Sequence, residues 1–230
     1  MQNSRCTVAN IGTIGAKGQS KLDAACIGIA GLGGVGGIAF ELLVRAGIEK
    51  IKIADAGFFE ESNANRQSLW SRENDGRKKT DVADEFAKSV NRACKIEKYG
   101  EITASNSAKF AKGCLAVIDA TDRAHSRLAV WKGCKKSGAH YIFASALGEK
   151  GMLTVFVQKK SDFDKEFGMK NKKHRNFLSC DHSLGPVANA IGCLAAQQAI
   201  NLALGKQLLL FPKILLLDAF SENQIIAHEF

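Results

Sequence analysis

The chain has 230 residues, 46% of them apolar and 24% charged, a balance that supplies a substantial buried core and excludes a disordered chain. Its 32 Lys and Arg outnumber 23 Asp and Glu, so a net charge of +9 sits on an otherwise ordinary globular composition. With 22 Gly, only 2 Pro and no collagen period, the glycines are expected at turns and close backbone approaches.

Met1 to Gln19 carries no apolar core of the signal-peptide kind, and no later stretch reads as reaching the roughly 18 to 20 apolar residues that span a bilayer. A soluble, cytoplasmic protein without a membrane partner is therefore expected. Seven scattered cysteines with no C-x-x-C pair fit reduced thiols better than a disulfide framework or a zinc site.

In chain order, a flexible polar opening leads to a short buried strand, Cys26 to Ala30, which feeds a glycine-rich turn and a helix from about Val35 to Ala46. The next strand, Lys50 to Ala54, ends at Asp55; Glu60 to Gln67 reads as polar loop and Lys78 to Asn91 as an amphipathic helix. Strands follow at Ile96 to Tyr99 and Leu115 to Ile118, the second ending in Asp119-Ala120-Thr121-Asp122, and then a helix from Ala124 to Lys136. Tyr141 to Ala144 and Met152 to Gln158 are strands, the latter alternating as an antiparallel addition would. Lys159 to Arg175 carries seven Lys or Arg against three Asp or Glu and reads as a mobile basic loop, extending to about residue 185. A strong helix over Val187 to Leu204 and strands at Ile214 to Leu217 and Gln224 to Glu229 complete the chain.

Gly31-Leu32-Gly33-Gly34-Val35-Gly36 fits G-x-G-x-x-G between a strand and a helix, where glycines let backbone amides approach a phosphate at the helix N-terminus. The alternation predicts an α/β, Rossmann-like fold: a largely parallel sheet with antiparallel C-terminal strands and helices on both faces. Asp55, 24 residues after Gly31 at the end of the second strand, stands where a carboxylate accepts ribose hydroxyls. NAD and ATP both satisfy that geometry. Asn63, Arg66 and Lys79 add polar and cationic groups that a triphosphate requires and a nicotinamide does not, so charge favours ATP. Asp119 and Asp122 close the fourth strand at the ligand-binding edge of such sheets, with hard oxygens suited to Mg²⁺; Asp122 could instead cap the helix that follows.

These residues resemble the E1-like activating enzymes, the ThiF, MoeB and HesA group related to ubiquitin-activating enzyme. The resemblance covers about Gly15 to Ala227, and it implies that residues 1–230 form a single ThiF/MoeB-type ATP-binding adenylation domain. It rests on the glycine motif, Asp55, Glu61-Ser62-Asn63-Ala64-Asn65-Arg66-Gln67, Lys79, Ile118 to Asp122, Gly185-Pro186-Val187 and Leu216-Leu217-Asp218-Ala219. It implies that Gly31, Gly33, Gly34, Gly36, Asp55, Asn63, Arg66, Gln67, Lys79 and Asp119 bind ATP, that Asp122 ligates Mg²⁺, and that Arg66, Lys79 and Asp122 assist catalysis. The implied reaction is adenylation of the C-terminal carboxylate of a small ubiquitin-like or sulfur-carrier protein ending in Gly-Gly, by a homodimer, with release of pyrophosphate.

Four departures from the family pattern are visible. The zinc-binding C-x-x-C pairs are missing, so no zinc is expected; Arg5 alone stands where an arginine often reaches into the neighbouring subunit; Gly57 replaces a second acid; and Arg123 replaces an Asn. Cys180, after the cations Lys172, Lys173, His174 and Arg175, is the candidate thiol acceptor for a subsequent transfer, and His182 reads as a surface residue. The rival readings are a relative that adenylates a tRNA-base carboxylate, a non-catalytic partner subunit, and an NAD-dependent oxidoreductase, which leaves Arg66, Lys79 and Asp122 without a role.

Overall fold

The structure, a computed structural model, describes residues 7–157, 162–167 and 182–229. Its strands are β1 (Cys26–Ala30), β2 (Lys50–Ala54), β3 (Lys95–Tyr99), β4 (Ala116–Asp119), β5 (His140–Leu147), β6 (Lys150–Phe156), β7 (Lys213–Asp218) and β8 (Ile225–Glu229). They form one eight-stranded sheet in the order β3-β2-β1-β4-β5-β6-β7-β8. β3 through β5 of that order are mutually parallel, and β6, β7 and β8 join antiparallel, as the sequence pattern predicts.

Period-two alternation divides the core between the two faces of the sheet. Ile27, Ile29, Ile118 and Ile142 point into one layer with α2 (Gly34–Arg45), α3 (Lys79–Val90) and α7 (Gly185–Leu204). Val117, Tyr141, Phe143 and Phe156 point into the other with α4 (Ser107–Ala111), α5 (Ala124–Ser137) and α6 (Phe163–Phe167). Burial on both faces is why β1 and β4 read as continuous apolar runs rather than alternating ones.

Four expectations need correction. The opening is not a flexible lead-in over its described part: α1 (Val8–Ala24) is a helix kinked at Gly15, whose φ of 70° is in the left-handed region. Gly12, Gly15 and Gly18 hide its periodicity, and docking holds it: Asn10 Nδ2 and Gln19 Nε2 donate to the Ala46 carbonyl at 3.2 and 3.0 Å, tying it to the end of α2. The short helix α4, which buries Phe110, has too few residues to show a period.

The basic segment is also not loop throughout. Phe163 and Phe167, one helical turn apart on α6, are fully buried among Trp131, Tyr141, Phe143 and Phe156. Residues 159–161 and 168–181 of that segment lie outside the described residues. Finally, α7 is long and apolar enough, by length and composition, to cross a membrane. In the fold it packs against α2 and the sheet, with Val187, Ala188, Ile191, Ala195, Ala196 and Ala199 buried. Small residues along this face permit the approach: a Cβ on Gly192 would run into the Val35 carbonyl oxygen.

Candidate functional site

β1 sits between β2 and β4, so the chain leaves β1 and β4 toward opposite faces of the sheet. The divergence opens a crevice beyond the carboxyl ends of these strands, the usual ligand position in open α/β sheets. A cleft of about 610 Å³ occupies it.

The glycine turn forms its floor. Gly31 has φ of 87°, its amide donates to the Ala54 carbonyl at 2.8 Å, and a Cβ there would stand 2.5 Å from the Ala120 carbonyl oxygen. Gly36 is equally constrained, because a Cβ would collide with the Gly31 carbonyl oxygen. These two glycines close the turn against the next strand; Gly33 and Gly34 face the cleft. Gly33 precedes α2, and the first amides of a helix have no intrahelical acceptor, so they present partial positive charge to the cleft.

Asp55 stands on the wall formed by β2. Its carboxylate accepts from the Leu32 amide through Oδ2 and the Gly57 amide through Oδ1, each at 2.7 Å, which holds it beside the glycine turn with lone pairs still available. A Cβ on Gly57 would lie 3.0 Å from Asp55 Oδ1 and 3.7 Å from Lys79 Nζ, so the residue replacing the family's second acid borders both groups.

The polar run folds as a turn around buried Asn63, whose Oδ1 accepts the Glu60 amide at 3.2 Å and whose carbonyl accepts the amides of Arg66 and Gln67. Arg66 Nη1 donates to the Ser62 carbonyl at 3.0 Å and to Asn65 Oδ1 at 2.8 Å, leaving other guanidinium donors for the cleft. Gln67 is buried beside Gly33, and its Oε1 has no partner among the described residues. Lys79, the first residue of α3, reaches across with Nζ 5.7 Å from the Phe59 ring centroid.

Asp122 lines the opposite wall, exposed and without a side-chain partner among the described residues. It is not consumed as a helix cap, since Arg123 holds the N-cap position of α5. Asp119 is different. It is fully buried and does not line the cleft: its carboxylate accepts from the Thr121 amide at 3.0 Å, Thr121 Oγ1 at 2.7 Å and the Tyr141 hydroxyl. Burial, then the Asp119 charge, push the Tyr141 phenol well above its ordinary range, so it stays protonated and donates.

Thus Gly31, Gly33, Gly34, Asp55, Asn63, Arg66, Gln67, Lys79 and Asp122 share one cleft, while Gly36 and Asp119 support it from behind. Arg5 and Cys180, with Lys172, Lys173, His174 and Arg175, lie outside the described residues. His182 lines the cleft, and its carbonyl accepts the Gly148 amide at 2.9 Å.

Arg127 was not singled out by the sequence. It lies almost wholly buried in the cleft wall, 4.7 Å from the Phe143 centroid, with Nη1 donating to the Asp119 and Ala144 carbonyls at 3.4 and 3.3 Å and standing 3.7 Å from Asp119 Oδ1. A signal existed: 127 shares the buried stripe of α5 with Val130, Trp131 and Cys134, a helical spacing in which an Arg is anomalous.

Helix-terminal amides, the cations Arg66 and Lys79 and the carboxylates Asp55 and Asp122 around one crevice suit a polyphosphate nucleotide with a divalent cation. Among solved structures, Escherichia coli MccB crystallised with ATP matches with a TM-score of 0.78 over 99% of this chain and 72% of that one, at 22% identity. PaaA matches with a TM-score of 0.75 over 92% and 66%, at 18% identity; both likenesses establish the fold. Among curated relatives, the sulfur carrier protein ThiS adenylyltransferase of Bacillus subtilis is 33% identical over 63% of this chain and 44% of its own length. The adenylyltransferase and sulfurtransferase MOCS3-1 of Zea mays is 29% identical over 90% of this chain and 45% of its own. The chain thus spans about half the length of the curated relatives it matches. The ThiF family profile matches residues 7–229, nearly the whole chain and every cleft residue named above, and the chain belongs to that family.

Proposed function

We propose that the chain is an ATP-dependent adenylating enzyme that activates the C-terminal carboxylate of a small ubiquitin-like or sulfur-carrier protein ending in Gly-Gly. The observation that carries this reading is the meeting of the α2 N-terminus, Arg66, Lys79 and Asp122 in one cleft with Asp55. Support comes from the relatives: one is named for adenylating the carrier ThiS, and MccB was crystallised with ATP and with the peptide MccA.

The residues present fit ATP and Mg²⁺. Gly33 and Gly34 leave the first amides of α2 approachable, Asp55 retains acceptor capacity for ribose hydroxyls, and unpartnered Gln67 Oε1 offers a further acceptor. Arg66 and Lys79 would hold the phosphates, and Asp122 would hold Mg²⁺ together with phosphate oxygens and water, the sparse protein ligation typical of that ion. When bound, Mg²⁺ supplies charge neutralisation.

ATP is the substrate with the electrophilic α-phosphorus. A carboxylate oxygen of the carrier tail forms the new P–O bond; the bond to the β-phosphate oxygen breaks, and pyrophosphate leaves with the electron pair. The attacking group is ionised at neutral pH, so no protein base or nucleophile is required. The chain's own contribution is to bring two anions together: Arg66 and Lys79 offset their repulsion and stabilise charge growing on the phosphates. Homodimer assembly and transfer to Cys180 belong to this proposal on the family resemblance alone.

Carrier-dependent exchange of labelled pyrophosphate into ATP tests the reading, with candidate carriers as the varied component. Robust exchange with an intact carrier and none with one lacking its terminal glycines is expected. Tight NAD binding with no ATP binding in calorimetry would overturn it.

A further inference from the structure

Cys26, the first residue of β1, and Cys114, just before β4, stand side by side at the end of the sheet opposite the cleft. The Leu115 amide donates to the Cys26 carbonyl at 2.8 Å, which locks the two strand starts together, and the two sulfurs are 3.9 Å apart. Cys26 is partly exposed, whereas Cys114 is buried, its Sγ donating to the Phe110 carbonyl oxygen at 3.6 Å. The surroundings are defined: Lys52 Nζ donates to the Lys112 carbonyl at 2.9 Å and pairs with Glu97 at 3.4 Å, Lys50 precedes it on β2, and Tyr99 packs on Phe110.

We propose that Cys26 and Cys114 are a reactive dithiol site that takes low-molecular-weight disulfides as substrate and closes to an intramolecular disulfide. Cys26, as thiolate, attacks one sulfur of the small disulfide; that S–S bond breaks, a mixed disulfide forms, and one small thiolate leaves with the electron pair. Cys114 gives its proton to that thiolate and attacks Cys26 Sγ, expelling the second small thiolate, which takes a proton from solvent. Two electrons pass from the protein dithiol to the small disulfide, giving two small thiols.

The chemistry of the pair favours these roles. The adjacent Cys114 thiol, then Lys52 and Lys50, hold the Cys26 thiol below its ordinary range against the effect of burial, while Glu97 opposes them weakly. The other described cysteines go the opposite way: burial pushes Cys94 up to about 12 and raises Cys134 and Cys193, and Cys114 is raised by its neighbour and by burial. Nucleophile and resolving thiol are thus distinguished by position and charge. Nothing in this inference depends on the adenylation reading.

The experiment exposes the folded full chain to oxidised glutathione, blocks remaining thiols with iodoacetamide, and maps tryptic peptides without reductant. Trypsin leaves Cys26 in peptide 22–45 and Cys114 in peptide 113–123, one cysteine each. The expected product joins these peptides at about 2 Da below their summed mass and disappears on adding a reducing thiol. In Cys114→Ser the reaction stops at a glutathione adduct on peptide 22–45, and in Cys26→Ser peptide 113–123 is recovered alkylated and without glutathione. Circular dichroism checks that both variants fold, and the wild-type map decides alone if either does not. The proposal is overturned if Cys26 is recovered alkylated rather than oxidised, if it pairs with Cys6, Cys180 or Cys193 instead, or if Cys114 is glutathionylated as fast without Cys26.

Discussion

Gly36 has no room for a methyl group, since its Cβ would meet the backbone oxygen of Gly31 rather than a side chain that could rotate away. Gly36→Ala should therefore displace the N-terminus of α2, lowering stability by about 1–3 kcal/mol and weakening nucleotide binding; urea unfolding and calorimetry measure the two effects. Arg66 and Asp122 face the cleft without supporting the core, so Arg66→Ala or Asp122→Ala should keep the fold and cut carrier-dependent pyrophosphate exchange by at least about two orders of magnitude. Near-normal exchange by a folded variant would remove that residue from the mechanism. Tyr141 acts from behind the wall. Tyr141→Phe leaves an Asp119 oxygen without its donor, at a cost of about 1–3 kcal/mol, and loosens the turn carrying Asp122. A raised Mg²⁺ requirement for ATP binding, in addition to a lower unfolding midpoint, is expected; an unchanged Mg²⁺ requirement would limit Tyr141 to stability.

Among the elements, α6 shows how five residues anchor part of a basic segment. Phe163 and Phe167 stack on each other and pack into the aromatic layer around Trp131 and Phe156. Phe163→Ala should cost about 3–5 kcal/mol, read as a lowered urea midpoint, because a ring fully enclosed by other rings leaves a cavity that cannot collapse. The helix α1 is held differently, by side-chain amides satisfying the carbonyl at the end of α2. Its glycines and polar residues carry little helical signal of their own, and an element stabilised by docking shows its period only on the surface that receives it.

For the molecule as a whole, the sheet order decides what the cleft can hold. The connections after β1 and β4 run to opposite faces of the sheet, and they bring the amide-rich N-terminus of α2 and the turn carrying Asp122 to the same crevice. Calorimetry should accordingly detect ATP with Mg²⁺ and no comparable affinity for NAD, since Arg66 and Lys79 supply charge that a nicotinamide does not use.

The sequence by itself determined the α/β class, the parallel core with antiparallel additions, the glycine turn and most of the cleft. Those features depend on local signals: apolar runs, turn glycines, and polar residues at strand ends whose positions follow from strand direction. Only tertiary structure decided that Asp119 turns inward to Tyr141 while Asp122 remains in the cleft, that Gly36 serves packing, and that Arg127 lies buried in the wall. Each of these depends on which residue of another strand or helix stands within hydrogen-bond or van der Waals reach. That information resides in the register and packing of distant segments and leaves no periodicity in the chain.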